Sequence, residues 1–527
     1  MSSAKIIKDR NEENNSKFTT RIIDIFVIAI LCIFPLAVTD KYYNILQTKY
    51  YFYIGSVCLV SLVILMSAFV EHKKNKRFIF DFQWKAFVKR FTITDITLLI
   101  FLLTAIISTI CSDYVYESFW GNEGRFSGLF LLGLYGIAYF LVTRLGKFRD
   151  WYLDVFLGAN MIVCLFGITD YFKMDILHFK ADMIESQKFI FTSTIGNINT
   201  YTALVGMVVA VAAVLFSIEK VWKRKLYYYI CMVIGFFALI MGISDNAYLS
   251  LAALFGLLPL FLFKNKKGIK NYMIIIATFF SVIQFIDWIN DVMGEKVYGI
   301  DSAFSIIVNY KGLIWIVIGL WLIISIWYVA EYRRKEHHDL KNNFMCYAWF
   351  GFIIIAIIVF IYVLYDVNVN GNVDRYGALK GYLLFDDDWG THRGYIWRNA
   401  MECFSDFSPI KKLIGFGPDT FGIILLDKTQ NNIYGEIYDT AHNEYIHYLL
   451  TVGIVGVTSY IIYLCSFIVN GVRICKKNPI VIAIVMAVIC YSVQAFVNLN
   501  LPIATPIMWM LLMLGELKCR EAKLKEE

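Results

Sequence analysis

Charge is scarce in this chain. Only 17% of its residues are Asp, Glu, Lys or Arg, where soluble domains carry about a quarter, so an ordinary soluble globular protein is excluded. No two of the eleven cysteines stand in a CxxC spacing. Most lie inside apolar runs (Cys32, Cys58, Cys164, Cys231, Cys465, Cys490), as small buried residues rather than a disulfide framework or a metal site. No glycine turn is followed by the GK[ST] of a P-loop. There is no linker, low-complexity run, soluble domain or repeat relating two halves. Ionisable groups are few near the middles of the apolar runs, which weighs against a pump or ion-coupled transporter. The first apolar run is followed by "TDKYYN", a poor small-residue cleavage site, so it reads as a retained span and not a signal peptide.

Apolar runs, in contrast, are plentiful. The chain is 59% hydrophobic with a mean hydropathy of +0.60. Runs of roughly 17–25 residues recur along it, each long enough to cross a bilayer core of about 30 Å. The expected fold is an all-α polytopic membrane protein with about fourteen spans. They lie near 22–38, 51–70, 95–111, 127–143, 151–171, 198–218, 226–243, 247–263, 271–287, 312–330, 344–365, 446–470, 479–498 and 504–517. This divides the chain into helices 1–11 over 1–365, a polar segment over 366–445, and the last three helices with a short tail over 446–527.

The basic residues alternate by loop. The N-terminus, 72–92, 144–150, 219–225, 264–270, 331–343, 471–478 and the C-terminus hold 34 of the 49 Lys and Arg. Examples are "EHKKNKR" at 71–77 and "EYRRKEHH" at 331–338. The positive-inside rule puts these segments and both termini in the cytoplasm, and 366–442 outside. The net charge of +7 therefore reflects orientation in a lipid bilayer and does not point to nucleic acid.

The longest polar segment concentrates the chemistry. In "THRGYIWRNA" at 391–400, Arg393, Trp397 and Ala400 or Met401 share one face of a short helix. An arginine at its start can clamp a phosphate or diphosphate through its planar fork of donors; a solvated surface arginine is the alternative. Arg398 and Arg375 allow the same two readings. "GFGPDTFG" at 415–422 reads as a tight turn. His442 and Asn443 open the next span in "AHNEYIHYLLTVGIVG". A histidine at a membrane edge can take a proton from a hydroxyl or donate to phosphate, or it can simply sit at the interface. His447 lies five residues on, where a paired metal site prefers four. "DDD" at 386–388 is a solvated acidic loop or a divalent-cation motif, and Asp40 a carboxylate or a turn residue. Arg125, in "GNEGRFSGLF", is a cation at the mouth of a span.

In this order the motifs resemble the signature region of the bacterial O-antigen ligase/polymerase family: "HRGYIWRNAMECFSDFSPIKKLIGFGPDTFG", then "AHNEYIHYLLTVGIVG". "GRFSGLF" at 124–130 and "GNINTYTALV" at 196–205 resemble that family's earlier external motifs. The resemblance implies a GT-C-type helical bundle whose enlarged extracytoplasmic loop holds short helices. It implies an inverting, metal-independent glycosyltransferase with no cofactor. The donor would be an oligosaccharide on undecaprenyl diphosphate, and the glycan acceptor a sugar hydroxyl. By resemblance Arg393 is the diphosphate-binding arginine and His442 the residue at the acceptor hydroxyl. Trp397 and Asn443 join them at the substrate. The leaving diphosphate gathers negative charge, which fixed guanidinium groups stabilise.

One turn departs from the family pattern. Where the family often carries Ser-Arg-Gly-Ala, this chain reads Ser244-Asp245-Asn246-Ala247. The second arginine would then be Arg125, Arg375 or Arg398. A lipid-linked glycan flippase, or an inactive scaffold of a polysaccharide assembly complex, are the competing functions; polymerase and ligase are not separated.

Overall fold

The structure is a computed structural model that describes residues 17–75, 91–122, 124–301, 304–333, 343–498 and 500–525. The basic stretches at 71–77 and 331–338 lie partly outside these residues, as do most of the N-terminal segment and much of the 72–92 loop. The described chain is helical apart from one two-stranded antiparallel hairpin, Phe191–Thr192 with Gly196–Asn197.

Each expected apolar run but the one at 446–470 falls on a single helical stretch. Ten of the described helices are long and apolar enough to cross a membrane: Lys17–Leu36, Ile45–Val70, Ile93–Ile110, Trp151–Tyr171, Ile198–Ile218, Trp222–Met241, Lys266–Lys296, Leu313–Arg333, Phe344–Asn368 and Gly453–Ile474. Three more apolar helices, Leu129–Leu145, Ala247–Leu262 and Val481–Val497, are shorter. The stretch at 504–517 lies in Thr505–Leu524, whose last turns are charged. The expected span at 446–470 is not one helix. It is broken at Val452 into Glu444–Thr451 and Gly453–Ile474.

The centre of the bundle is Ile198–Ile218, 94% buried, packed on Val481–Gln494. Small residues permit the close approach: a β-carbon on Gly206 would stand 2.7 Å from Ser250 Oγ, whose hydroxyl donates to Gln494 Oε1 at 2.8 Å. Leu313–Arg333 and Phe344–Asn368 are only 11% and 6% buried, so their apolar surfaces suit lipid.

Backbone groups in a bilayer need partners inside the protein, and the first helix shows how. It ends in a π turn and a 3-10 turn at Ala29–Ile33 and Phe34–Leu36. Carbonyls at that end accept from the fully buried Lys49 ammonium: Phe34 and Pro35 at 3.0 Å, Ala37 at 3.1 Å. Asp40, just beyond, is an exposed turn residue that accepts from the Asn44 amide.

The two ends of the bundle differ. At one, Thr92 caps the Ile93–Ile110 helix, and buried Asp95 accepts from Tyr139 at 2.9 Å, Arg144 at 2.9 Å and Arg520 at 2.6 Å. That cluster ties three helices together. At the other end the polar segment folds on a second, smaller core. Ile396, Ala400, Cys403 and Phe407 pack on Phe421, Leu425, Tyr438, Ala441 and Leu450. The i, i+4, i+7 spacing of the first three puts them on one face of the Trp389–Asp406 helix.

Candidate active site

The glycine turn is the keel of the site. Its amides complete the frayed end of the Glu444–Thr451 helix: Phe416 N–H donates to the Leu450 carbonyl at 3.1 Å and Gly417 N–H to Thr451 at 2.8 Å. From below, Ser108 Oγ donates to the same Thr451 carbonyl at 2.9 Å, and Ser112 Oγ to that of Phe416. Only glycine fits at 417, where φ is +118° and a β-carbon would stand 2.5 Å from Ser118 Oγ. Two residues on, Asp419 is fully buried with φ 61°. Its Oδ2 accepts the backbone N–H groups of Asn122 at 2.7 Å and Ser127 at 3.0 Å. The glycine turn thereby holds the loop that bears Arg125. His447 Nε2 lies 3.9 Å from Asp419 Oδ1.

Arg125 engages Asp439 with two parallel bonds, Nε to Oδ2 at 2.8 Å and Nη2 to Oδ1 at 2.7 Å, the fork geometry that suits a planar carboxylate. Asp439 leads directly into His442. Trp397 pins the same segment, its indole N–H donating to the Ala441 carbonyl at 2.8 Å. His442 takes a left-handed conformation, φ 47°, and its Nδ1 is buried without a partner. Asn443 caps the next helix, its side-chain oxygen accepting from Tyr445 N–H at 2.9 Å and Ile446 N–H at 3.0 Å.

Arg393 arrives from the other side. Gly390, Thr391 and His392 all have positive φ and interrupt the helix, so its regular turns begin at Arg393. His392 is held by stacking on Tyr434, ring centroids 3.8 Å apart, and by Glu436 at 3.0 Å. The Arg393 guanidinium is partly buried and makes no hydrogen bond among the described residues. Burial lowers its proton affinity, and the Asp245 carboxylate partly restores it. His442 feels both arginines. Burial first, then the charges of Arg393 and Arg125, pull its imidazole down to about 3, so it is neutral at working pH. Four segments distant in sequence thus meet: the 121–127 loop, the turn at 244–247, the start of the 393–406 helix, and 439–443.

Residues 297–461 match the family model described as O-Antigen ligase. Over that stretch the chain is similar to the O-antigen ligase family. Among curated proteins none matches it. The matched stretch holds Arg393, the glycine turn and His442, but not Arg125 or Asp245.

The site does not gather every arginine. Arg398 is exposed and occupied by Asp387, at 2.9 and 2.8 Å, and by Glu402 at 3.1 Å. Arg375 is exposed, 3.4 Å from Asp366. Of the three arginines weighed as a second cation, Arg125 alone has its charge felt at His442. The acidic run is engaged elsewhere: Asp387 with Arg398, Asp388 accepting from Tyr434 at 2.7 Å. At the odd turn, Ser244 donates to Asn199 Oδ1 at 2.7 Å and Asn246 to the Val497 carbonyl at 3.1 Å. That joins the "GNINT" motif to the site.

Sequence reading missed Asp419, Asp439 and Glu444, and weighed His447 only as a metal ligand. Asp419 and Glu444 stood inside motifs already singled out, but nothing in their spacing announces burial. Asp419→Ala leaves two backbone donors without their acceptor, at about 1–3 kcal/mol each when buried. The expected result is a transfer rate about 10- to 100-fold lower as the Arg125 loop loosens, and a thermal midpoint several degrees lower. Single-turnover rates and a melting curve on purified protein check both; wild-type values would remove the turn from its holding role.

Proposed function

We propose that this protein is an extracytoplasmic polysaccharide polymerase or ligase. It transfers a glycan from undecaprenyl diphosphate to a sugar hydroxyl, with inversion and without a metal. The observation that carries the reading is the Arg393 guanidinium: partly buried, without a hydrogen-bond partner among the described residues, and beside a neutral His442 whose Nδ1 is also unpaired. Such a cation favours a dianionic ligand over water, because the surrounding protein has already displaced part of its hydration.

In the reaction the acceptor oxygen attacks the anomeric carbon on the face opposite the diphosphate. The bond from that carbon to the diphosphate oxygen breaks and its electron pair leaves with the lipid. Arg393 stabilises the charge that gathers there. Arg125 shares its charge with Asp439, so it contributes less at the phosphate and more by holding 439–442 in place. His442 faces the acceptor hydroxyl, as proton acceptor or as orienting hydrogen-bond partner. The alternation of basic loops supports an outer-face site.

The test supplies membranes bearing the protein with a fluorescent lipid-linked oligosaccharide, with and without EDTA. Longer glycan and released lipid diphosphate, unchanged by EDTA, are expected. A second lipid-linked repeat as acceptor indicates a polymerase; a chemically different acceptor indicates a ligase. Movement of the lipid across the membrane with no new glycosidic bond would overturn the reading in favour of a flippase.

A further inference from the structure

Immediately after His442-Asn443, Glu444 points away from solvent. It is 1% exposed. Its Oε1 accepts from Tyr460 Oη at 2.7 Å and from the Asn500 amide at 3.2 Å. Its Oε2 is buried and has no partner. It lines a polar crevice of about 280 Å³, open mouth included, together with Arg125, Asp419, Thr440, Asn443 and His447. The closed part has room for about one water molecule. A buried carboxyl oxygen left unpaired is costly, and a water there would satisfy it.

Thr440 and Asn443 flank His442 in the chain, and Arg125 acts on His442 electrostatically. The crevice therefore adjoins the reaction site through the 440–443 segment, although His442 itself does not line it. We propose that Glu444 is the final resting place of the proton released in the transfer, reached through a water held in this crevice. The proposal rests on the glycosyl-transfer reading above. As the acceptor oxygen bonds to the anomeric carbon and the diphosphate departs with its electron pair, the hydroxyl proton leaves by way of His442 and the water. The carboxylate of Glu444 takes it on Oε2 and later releases it to solvent. Glu444 acts through the water, not on the sugar.

The charged and titratable groups facing it come from every neighbouring element. Arg125 of the 121–127 loop, Asp419 of the glycine turn and His447 of its own helix line the same crevice. Tyr448, Tyr460, Tyr491 and Tyr135, with Tyr445 on its own helix, are within electrostatic reach of it. Burial pushes the carboxyl up to about 7. The acceptor form is thus present above that pH and lost as pH falls through it.

Glu444→Gln keeps the side chain's size and its acceptor for Tyr460 but cannot take a proton. Donor-saturated transfer at about pH 8 should fall about tenfold, with KM for the lipid-linked donor within about twofold of wild type. The loss of rate that wild type shows toward about pH 6 should disappear. Glu444→Asp, which retains an acid, should keep that slope. Infrared spectra of wild type should gain a protonated-carboxyl band over the same range that Glu444→Gln lacks, a readout needing no turnover. A Gln variant with wild-type rate, or with lowered rate and an unchanged pH slope, overturns the proposal. An inactive wild type whose infrared band titrates as expected would instead sink the glycosyl-transfer reading.

Discussion

Arg393→Ala is expected to lower the rate of glycan transfer by about 10²- to 10³-fold, the range seen when one fixed donor to a developing anion is removed. The effect should fall mainly on kcat, because charge on the diphosphate grows as the anomeric bond breaks. Arg393→Lys should remain at least about tenfold below wild type, since an ammonium restores charge without the planar fork. The same substitution has a second consequence. The Arg393 charge helps to hold His442 at about 3. Without it the imidazole takes a proton more readily, so in a Glu444→Gln background, where the carboxyl's own acid limb is absent, Arg393→Ala should move the remaining acid limb to higher pH. Paired pH–rate profiles in that background check this; a limb unmoved by Arg393→Ala would separate the two residues. Donor binding has the converse effect. A diphosphate seated on Arg393 offsets its charge and strengthens His442 as a base, so base and donor arrive together.

His442→Ala is expected to cost about 10²- to 10⁴-fold in kcat, the usual span for loss of a general acid–base group. His442→Gln distinguishes its two possible roles. Gln can hold a hydroxyl but cannot accept its proton. If His442 is the proton acceptor, both variants should be similarly slow; if it only orients the hydroxyl, Gln should recover a large part of the rate. Because φ at 442 is 47°, melting curves should accompany both variants to separate lost chemistry from backbone strain. Transfer at wild-type rate in His442→Ala would remove this residue from the reaction.

Much of the bundle was legible before any coordinates. A helix in lipid satisfies its own backbone, so apolar run length reports span position almost directly. The break at Val452 was not legible, because "YLLTVGIVG" is apolar throughout; Gly453, with φ 71°, turns the chain there, against the Leu413 and Gly415 backbone. Within the site, Arg393 and His442 were readable because their motifs are local. The parts played by Asp419, Asp439 and Glu444 were not. Their partners lie 16 to 314 residues away in sequence, and no local pattern encodes a contact of that range.

The turn at 244–247 shows the division most clearly. Sequence alone established a polytopic helical protein, and it showed motifs that resemble those of O-antigen ligases, with Asp245 where the resemblance implies an arginine. The first follows from composition and run length, which are properties of the chain before it folds; the second is a likeness of short local motifs. Tertiary structure decided that Asp245 acts on Arg393, that Arg125 rather than Arg375 or Arg398 is the second charge felt at His442, and that Glu444 lies buried behind them. Charges act through space and burial depends on what packs around a group, so such pairings exist only once four distant segments have been brought to one end of the bundle.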